Sequence, residues 1–133
     1  KKFDHFKSNL NVLALADQED LTNEFIIGGI IDKFFIQFEL GWKVLKELLN
    51  YEGQSISASG SPKMILKTAF TIYDFIDENV WLEMLRARND MTHIYDALAA
   101  RRLVDAVLQR YIPEFQKMKE GIESFYKDEI NNL

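Results

Sequence analysis

The stretch that decides the fold is Glu24–Tyr51, EFIIGGIIDKFFIQFELGWKVLKELLNY. Its second half carries Phe35, Phe38, Trp42, Leu45 and Leu49 at 3–4 spacing, the stripe of a helix packed on one side. Its first half differs. Phe25, Ile26, Ile27, Ile30, Ile31, Phe34, Phe35, Ile36 and Phe38 wrap nearly the whole circumference. A helix apolar all round needs two burying partners, and one of them can be a second copy of the chain. Thr22 or Asn23 can cap its start, and Gly53 just past its end suits a C-terminal stop.

Helical periodicity extends outward on both sides, without strand alternation. A first helix is expected over about Phe3 to Ala16, followed by the acidic run Asp17 to Asp20. Gly53 to Gly60 reads as a loop. Ser61-Pro62 reads as a cap followed by proline at the first helical position, opening a third helix to about Phe75. Asp77 or Asn79 can cap a fourth, in which Val80, Met84, Ala87, Met91, Ile94 and Leu98 repeat at 4–3–4–3–4 spacing. A last helical stretch holds Val104, Val107, Leu108, Tyr111, Phe115, Met118, Ile122 and Phe125, with a kink or break expected at Pro113. The expected fold is all-α: an antiparallel four-helix up-and-down bundle with a short extra helix, one domain over 1–133.

Composition narrows the function classes. With no cysteine, disulfides, thiolate catalysis and cysteine-ligated zinc are excluded. A net charge of −5 argues against a general nucleic-acid coat, though a small basic cleft remains compatible with it. The most apolar region, Phe25 to Phe38, is interrupted by Asp32 and Lys33, so no membrane span is expected. Acidic residues through Lys1 to Asp20 do not suit a signal peptide, and a cytoplasmic location is the default expectation.

Chemistry concentrates in Arg88-Asn89-Asp90-Met91-Thr92-His93-Ile94-Tyr95. Arginine is a permanent cation that forks onto phosphate oxygens, and histidine titrates near neutral pH. The other histidine, His5, has no partner in sequence and no assigned role. On one ideal helix Arg88, Asn89, Thr92, His93 and Asp96 share a polar arc of about 140°. His93 lies at its edge, so such a helix cannot aim Arg88 and His93 at one atom. Either the helix frays after His93, or two chains combine. A solvated helix face is the plainer reading of the same residues. Gly60-Ser61 with Asp74 and Asp77 does not make a nucleotidyltransferase site, because metal-binding carboxylates on a strand stand two residues apart and these stand three apart on a helical stretch.

Phe38-Glu39-Leu40-Gly41-Trp42-Lys43-Val44-Leu45-Lys46, Gly53, Ser61-Pro62, Ala69, Trp81-Leu82-Glu83-Met84-Leu85 and Arg88-Asn89…His93-Ile94-Tyr95-Asp96 occur in an order that resembles the nucleotidyltransferase substrate-binding family. That family is a branch of the HEPN superfamily of small helical bundles. The resemblance implies a homodimer whose motif helices meet. It also implies a partner, a minimal nucleotidyltransferase encoded by an adjacent gene. Two activities follow from it. One is a metal-independent endoribonuclease, the toxin of a toxin–antitoxin pair, with Arg88, His93 and Asn89 catalytic and AMP added at Tyr95 as the inhibiting modification. The other is a non-catalytic subunit that binds nucleotide or substrate for the transferase. RNA or a nucleotide is the implied ligand, and neither a cofactor nor a metal is expected.

Overall fold

In the computed structural model, residues 1–54 and 60–129 are described. The helices are α1 (Lys2–Leu13), α2 (Glu24–Tyr51), α3 (Pro62–Ile72), α4 (Glu78–Asn89), α5 (Ala97–Ala106) and α6 (Ile112–Phe125). Short 3-10 turns follow α1 (Ala16–Gln18) and α4 (Thr92–Ile94), and a π turn, Val107–Tyr111, joins α5 to α6. No strand occurs among the described residues.

Local chemistry sets the boundaries. Asn23 caps α2, its side chain accepting from the Phe25 and Ile26 amides. Gly53 follows the end of α2 with φ of +81°, a conformation that glycine alone adopts without strain. The rest of the expected loop, residues 55–59, lies outside the described residues. Ser61 caps α3 ahead of Pro62, and Asp77 caps α4. α1 stops at Leu13, short of the expected Ala16, and α3 stops at Ile72 rather than Phe75. Phe75 is buried in the linker that leads to the Asp77 cap.

Residue pairs give the directions. Lys2 meets Glu47 while Asn9 meets Gln37, so α1 runs antiparallel to α2. Trp81 packs against Gly41, and Arg88 reaches Glu39, so α4 is antiparallel to α2 as well. Phe34 stacks on Tyr111 and Tyr51 meets Tyr126, which sets α5–α6 parallel to α2. Four rods therefore alternate in direction, with α3 as the extra helix. This is the architecture the sequence patterning predicts.

The core centres on Phe6, Phe34, Phe38, Trp81 and Phe115, all fully buried. Phe115 meets Phe6 and Trp81 edge to face, with ring centroids 6.1 and 5.5 Å apart. Two buried polar groups are satisfied. Gln37 donates to the Phe6 carbonyl and accepts from Asn9. Glu114 accepts from Trp81 Nε1 and the Asp77 amide through one oxygen and meets Lys117 with the other.

Pro113 does not break the last rod. It has no N–H to donate, and its ring crowds the carbonyl four residues back, so the preceding turn widens to π geometry and helix resumes at Ile112. Arg110 and Tyr111, at the end of that turn, both bond Glu83 on α4, Arg110 through two nitrogens and Tyr111 through its hydroxyl at 2.7 Å. Burial alone would raise the Glu83 pKa, but the bonds from Tyr111 and Arg110 hold it below the ordinary carboxylate value.

A Cβ on Gly41 would lie 2.7 Å from Trp81 Cη2, and Trp81 is itself held by Glu114. Gly41→Ala, which at an open helical site would stabilise, should here lower unfolding free energy by about 1–3 kcal/mol. Urea denaturation followed by circular dichroism measures it.

Candidate functional site

The motif does not lie on one helix. α4 ends at Asn89, four residues before His93, and the predicted stripe stops there with it. Met91, Ile94 and Leu98, expected to continue the buried repeat, are all more than half exposed. The cause is local. Asp90 adopts extended backbone, and its carboxylate accepts both the Thr92 amide (2.9 Å) and the Thr92 hydroxyl (2.6 Å). These bonds offer the backbone an alternative to another helical turn. The Thr92 hydroxyl, then the Thr92 amide, hold the Asp90 carboxyl below its ordinary pKa of 3.8. Asp96 then caps α5 through the Leu98 and Ala99 amides.

This turn places His93 against α2. Its ring meets the Phe35 ring at 5.2 Å, and its Nδ1 lies 3.0 Å from the Asp90 carbonyl oxygen. A carbonyl only accepts, so Nδ1 carries the hydrogen of the neutral ring and the lone pair is on Nε2. Arg88, in the last turn of α4, points to α2 as well. Its Nη2 is 2.5 Å from Glu39 Oε1, which is fully buried and has no aligned hydrogen bond; the contact is an ion pair. Glu39 Oε2 accepts from Trp42 Nε1 at 3.1 Å. Phe35 and Glu39 are four residues apart on one helix, so His93 and Arg88 rest on successive turns of the same α2 face, about 6 Å apart along its axis. The end of α4 at Asn89 sets both side chains against α2, Arg88 on Glu39 and His93 on Phe35.

The other motif residues are less engaged. Tyr95 is 80 % exposed, and Asn89 is exposed at the end of α4. Neither side chain has a hydrogen bond or ion pair among the described residues. Next to His93 and Tyr95 a cavity of about 400 Å³ opens between α2 and α5. Glu24, Asp32, Asp96 and Arg101 contribute its charges, and Arg88 is not among its lining residues. His5 is exposed on α1. Glu39 was legible in the sequence only as part of a block. A carboxylate embedded between Phe38 and Trp42 is the signal that could have marked it, because charges are seldom kept in a buried stripe without a partner.

An all-helical bundle with a paired arginine and a loop-borne imidazole and phenol defines the class. The chain belongs to the family described as nucleotidyltransferase substrate binding protein like, whose profile matches residues 1–124. A search of curated proteins finds no match. Among the described residues no helix is long and apolar enough to cross a membrane.

Two outcomes test the site as built. Glu39 and Arg88 are each about one-third exposed, so solvent screening keeps their coupling well below that of a fully buried pair. A double-mutant cycle with Glu39→Ala and Arg88→Ala should return about 1 kcal/mol. Thr92→Val should raise the Asp90 carboxyl pKa toward 3.8, read by NMR titration. The sign follows from the depressed value: the turn's contribution is present at neutral pH and is lost as pH falls through the lowered Asp90 pKa.

Proposed function

We propose that this chain is the ribonuclease partner of a minimal nucleotidyltransferase, acting as a homodimer of the HEPN type without a metal. The observation that carries this reading is the seating of Arg88 and His93 on adjacent turns of α2, with Nε2 of His93 unprotonated in the neutral ring. His93 Nε2 takes the proton of an RNA 2′-hydroxyl. The 2′-oxygen attacks the adjacent phosphorus, the bond to the 5′-oxygen breaks, and that oxygen takes up the proton that the His93 imidazolium gives back, directly or through a water molecule. The products are a 2′,3′-cyclic phosphate and a 5′-hydroxyl. Arg88 stabilises the charge that develops on the phosphorane, an interaction stronger in the transition state than in the substrate. The ion pair with Glu39 engages Nη2, so the guanidinium retains N–H donors for a phosphate oxygen. Asn89, adjacent to Arg88, orients a neighbouring group across the dimer.

Exposed Met91, Ile94 and Leu98, close in sequence to His93, support the homodimer, since large apolar side chains beside the motif suit burial by a second copy. AMP on the exposed Tyr95 hydroxyl would add an anionic group two residues from His93 and block substrate entry. This makes the chain the toxin of a pair and the transferase its antitoxin.

The family description favours a second reading, in which the chain binds nucleotide or substrate for the transferase without cleaving anything. Cleavage of RNA by the purified protein separates the two. His93→Ala should lower the rate by about 10²–10⁴ and Arg88→Ala by about 10²–10³. Undiminished cleavage in His93→Ala would overturn the ribonuclease reading. Co-expression with the transferase should add the mass of AMP to the wild type and not to Tyr95→Phe.

A further inference from the structure

We propose that the apolar groove between the end of α1 and the start of α2 docks an amphipathic helix of another protein, one that carries basic residues beside its apolar face. The groove stands apart from the motif and does not rest on the reading above. Leu13, Ala16 and Ile30 form its buried floor, and Val12, Leu15 and Phe25 stand around it, each about half exposed or more. Phe25 is 92 % exposed, which leaves a whole phenyl ring in water. The volume of about 250 Å³ lies below the ~300–1,000 Å³ of small-molecule sites, so the groove suits side chains of a partner rather than a whole ligand. Gly29 is in the same wall, and a Cβ there would meet nothing within 4 Å. Glycine is unfavourable inside a helix, and open space beside it admits another backbone closely. Ile36, about half exposed, continues the strip two turns further along α2. From Phe25 to Ile36 the strip runs about 16 Å, the length of three turns of a helix laid along it.

Charge decides the occupant. Glu19 and Lys33 line the groove, and Asp17 and Asp20 stand on either side of Glu19 in the connection from α1 to α2. Asp17, Glu19 and Lys33 have no side-chain hydrogen bond or ion pair among the described residues. Asp20 accepts from the Thr22 hydroxyl and amide and stays ionised. Three carboxylates against one ammonium make the rim acidic. A second copy set here by a twofold axis would bring two such rims toward each other, and like charges in juxtaposition oppose binding. Anionic lipid and nucleic acid are repelled for the same reason. A basic partner is attracted by the same charges, and its apolar face covers Phe25 and Leu15 in the manner of a helix laid in a groove. At 100° per residue, Phe25, Gly29 and Lys33 lie on the opposite side of α2 from Ile27 and Ile31, which border the cavity beside His93. The groove therefore stays open when the motif face is covered.

A helical peptide with leucine at i, i+4, i+7 and i+11 and lysine elsewhere is the probe, titrated into the purified full chain and followed by amide NMR shifts. Shifts should move at residues 12–33 and not at 88–101. The same peptide with glutamate for lysine should bind about tenfold less tightly. Phe25→Ser and Leu15→Ser, both at exposed positions, should each weaken the lysine peptide about tenfold with the unfolding midpoint unchanged. Glu19→Lys should weaken it too. Equal binding of the two peptides, or equal binding by wild type and Phe25→Ser, overturns the proposal. So do shifts that cluster away from the groove. Sedimentation checks for a second copy: an oligomer of the wild type that is lost in Phe25→Ser gives the face to self-association and overturns the proposal. Binding to vesicles of phosphatidylcholine and phosphatidylserine that depends on Phe25 gives it to a lipid surface and overturns it as well.

Discussion

Everything in this molecule leans on α2. Its 28 residues touch α1, α3, α4 and α5, and the buried side chains Ile27 to Leu49 supply the largest single share of the core. A helix apolar on most of its circumference is stable only when surrounded, so the rest of the chain folds around it. The same requirement organises chemistry. Polar groups that border α2 must either be paired, as Gln37 and Glu39 are, or sit at its rim, as Asp32 and Glu24 do.

That dual use explains why the site is rigid on one side and open on the other. Behind Arg88, the Glu39 carboxylate is fixed by Trp42 one turn further along α2. Behind His93 stands the Phe35 ring. Both side chains therefore have a backing that main-chain motion of the turn would have to break. Tyr95 has none, and its exposed hydroxyl is the member of the group most accessible to another protein.

Much of this was legible in the residues. The Ser61 cap, the span of α2 and the alternation of four rods all follow from side-chain types and apolar spacing, because these act over a few residues, while the structure chose Asn23 over Thr22 and Asp77 over Asn79. The end of α4 was misread because the 4–3–4 repeat through Leu98 continues in sequence past a point where the backbone turns away. Asp90 and Thr92 outweigh the repeat through bonds made within three residues. The pattern D-x-T already stood in the sequence, and the same bonds recur at Asp20 and Thr22. Pro113 was rightly flagged, but whether it breaks a helix or widens one turn depends on what the flanking residues bury. Here Val107, Tyr111 and Phe115 are all held in the core.

By itself the sequence determined the helical class, the central helix, the Ser61-Pro62 start of α3 and the identity of the arginine, histidine and phenol. Those depend on local propensity, periodicity and residue chemistry. Only the tertiary structure decided that Glu39 pairs with Arg88, that Phe35 backs His93, and that α5 returns to α2 to enclose a cavity. These contacts join residues 49 and 58 positions apart in the first two cases, and nothing in local spacing encodes them. They arise because burying α2 draws α4 and α5 onto the same face.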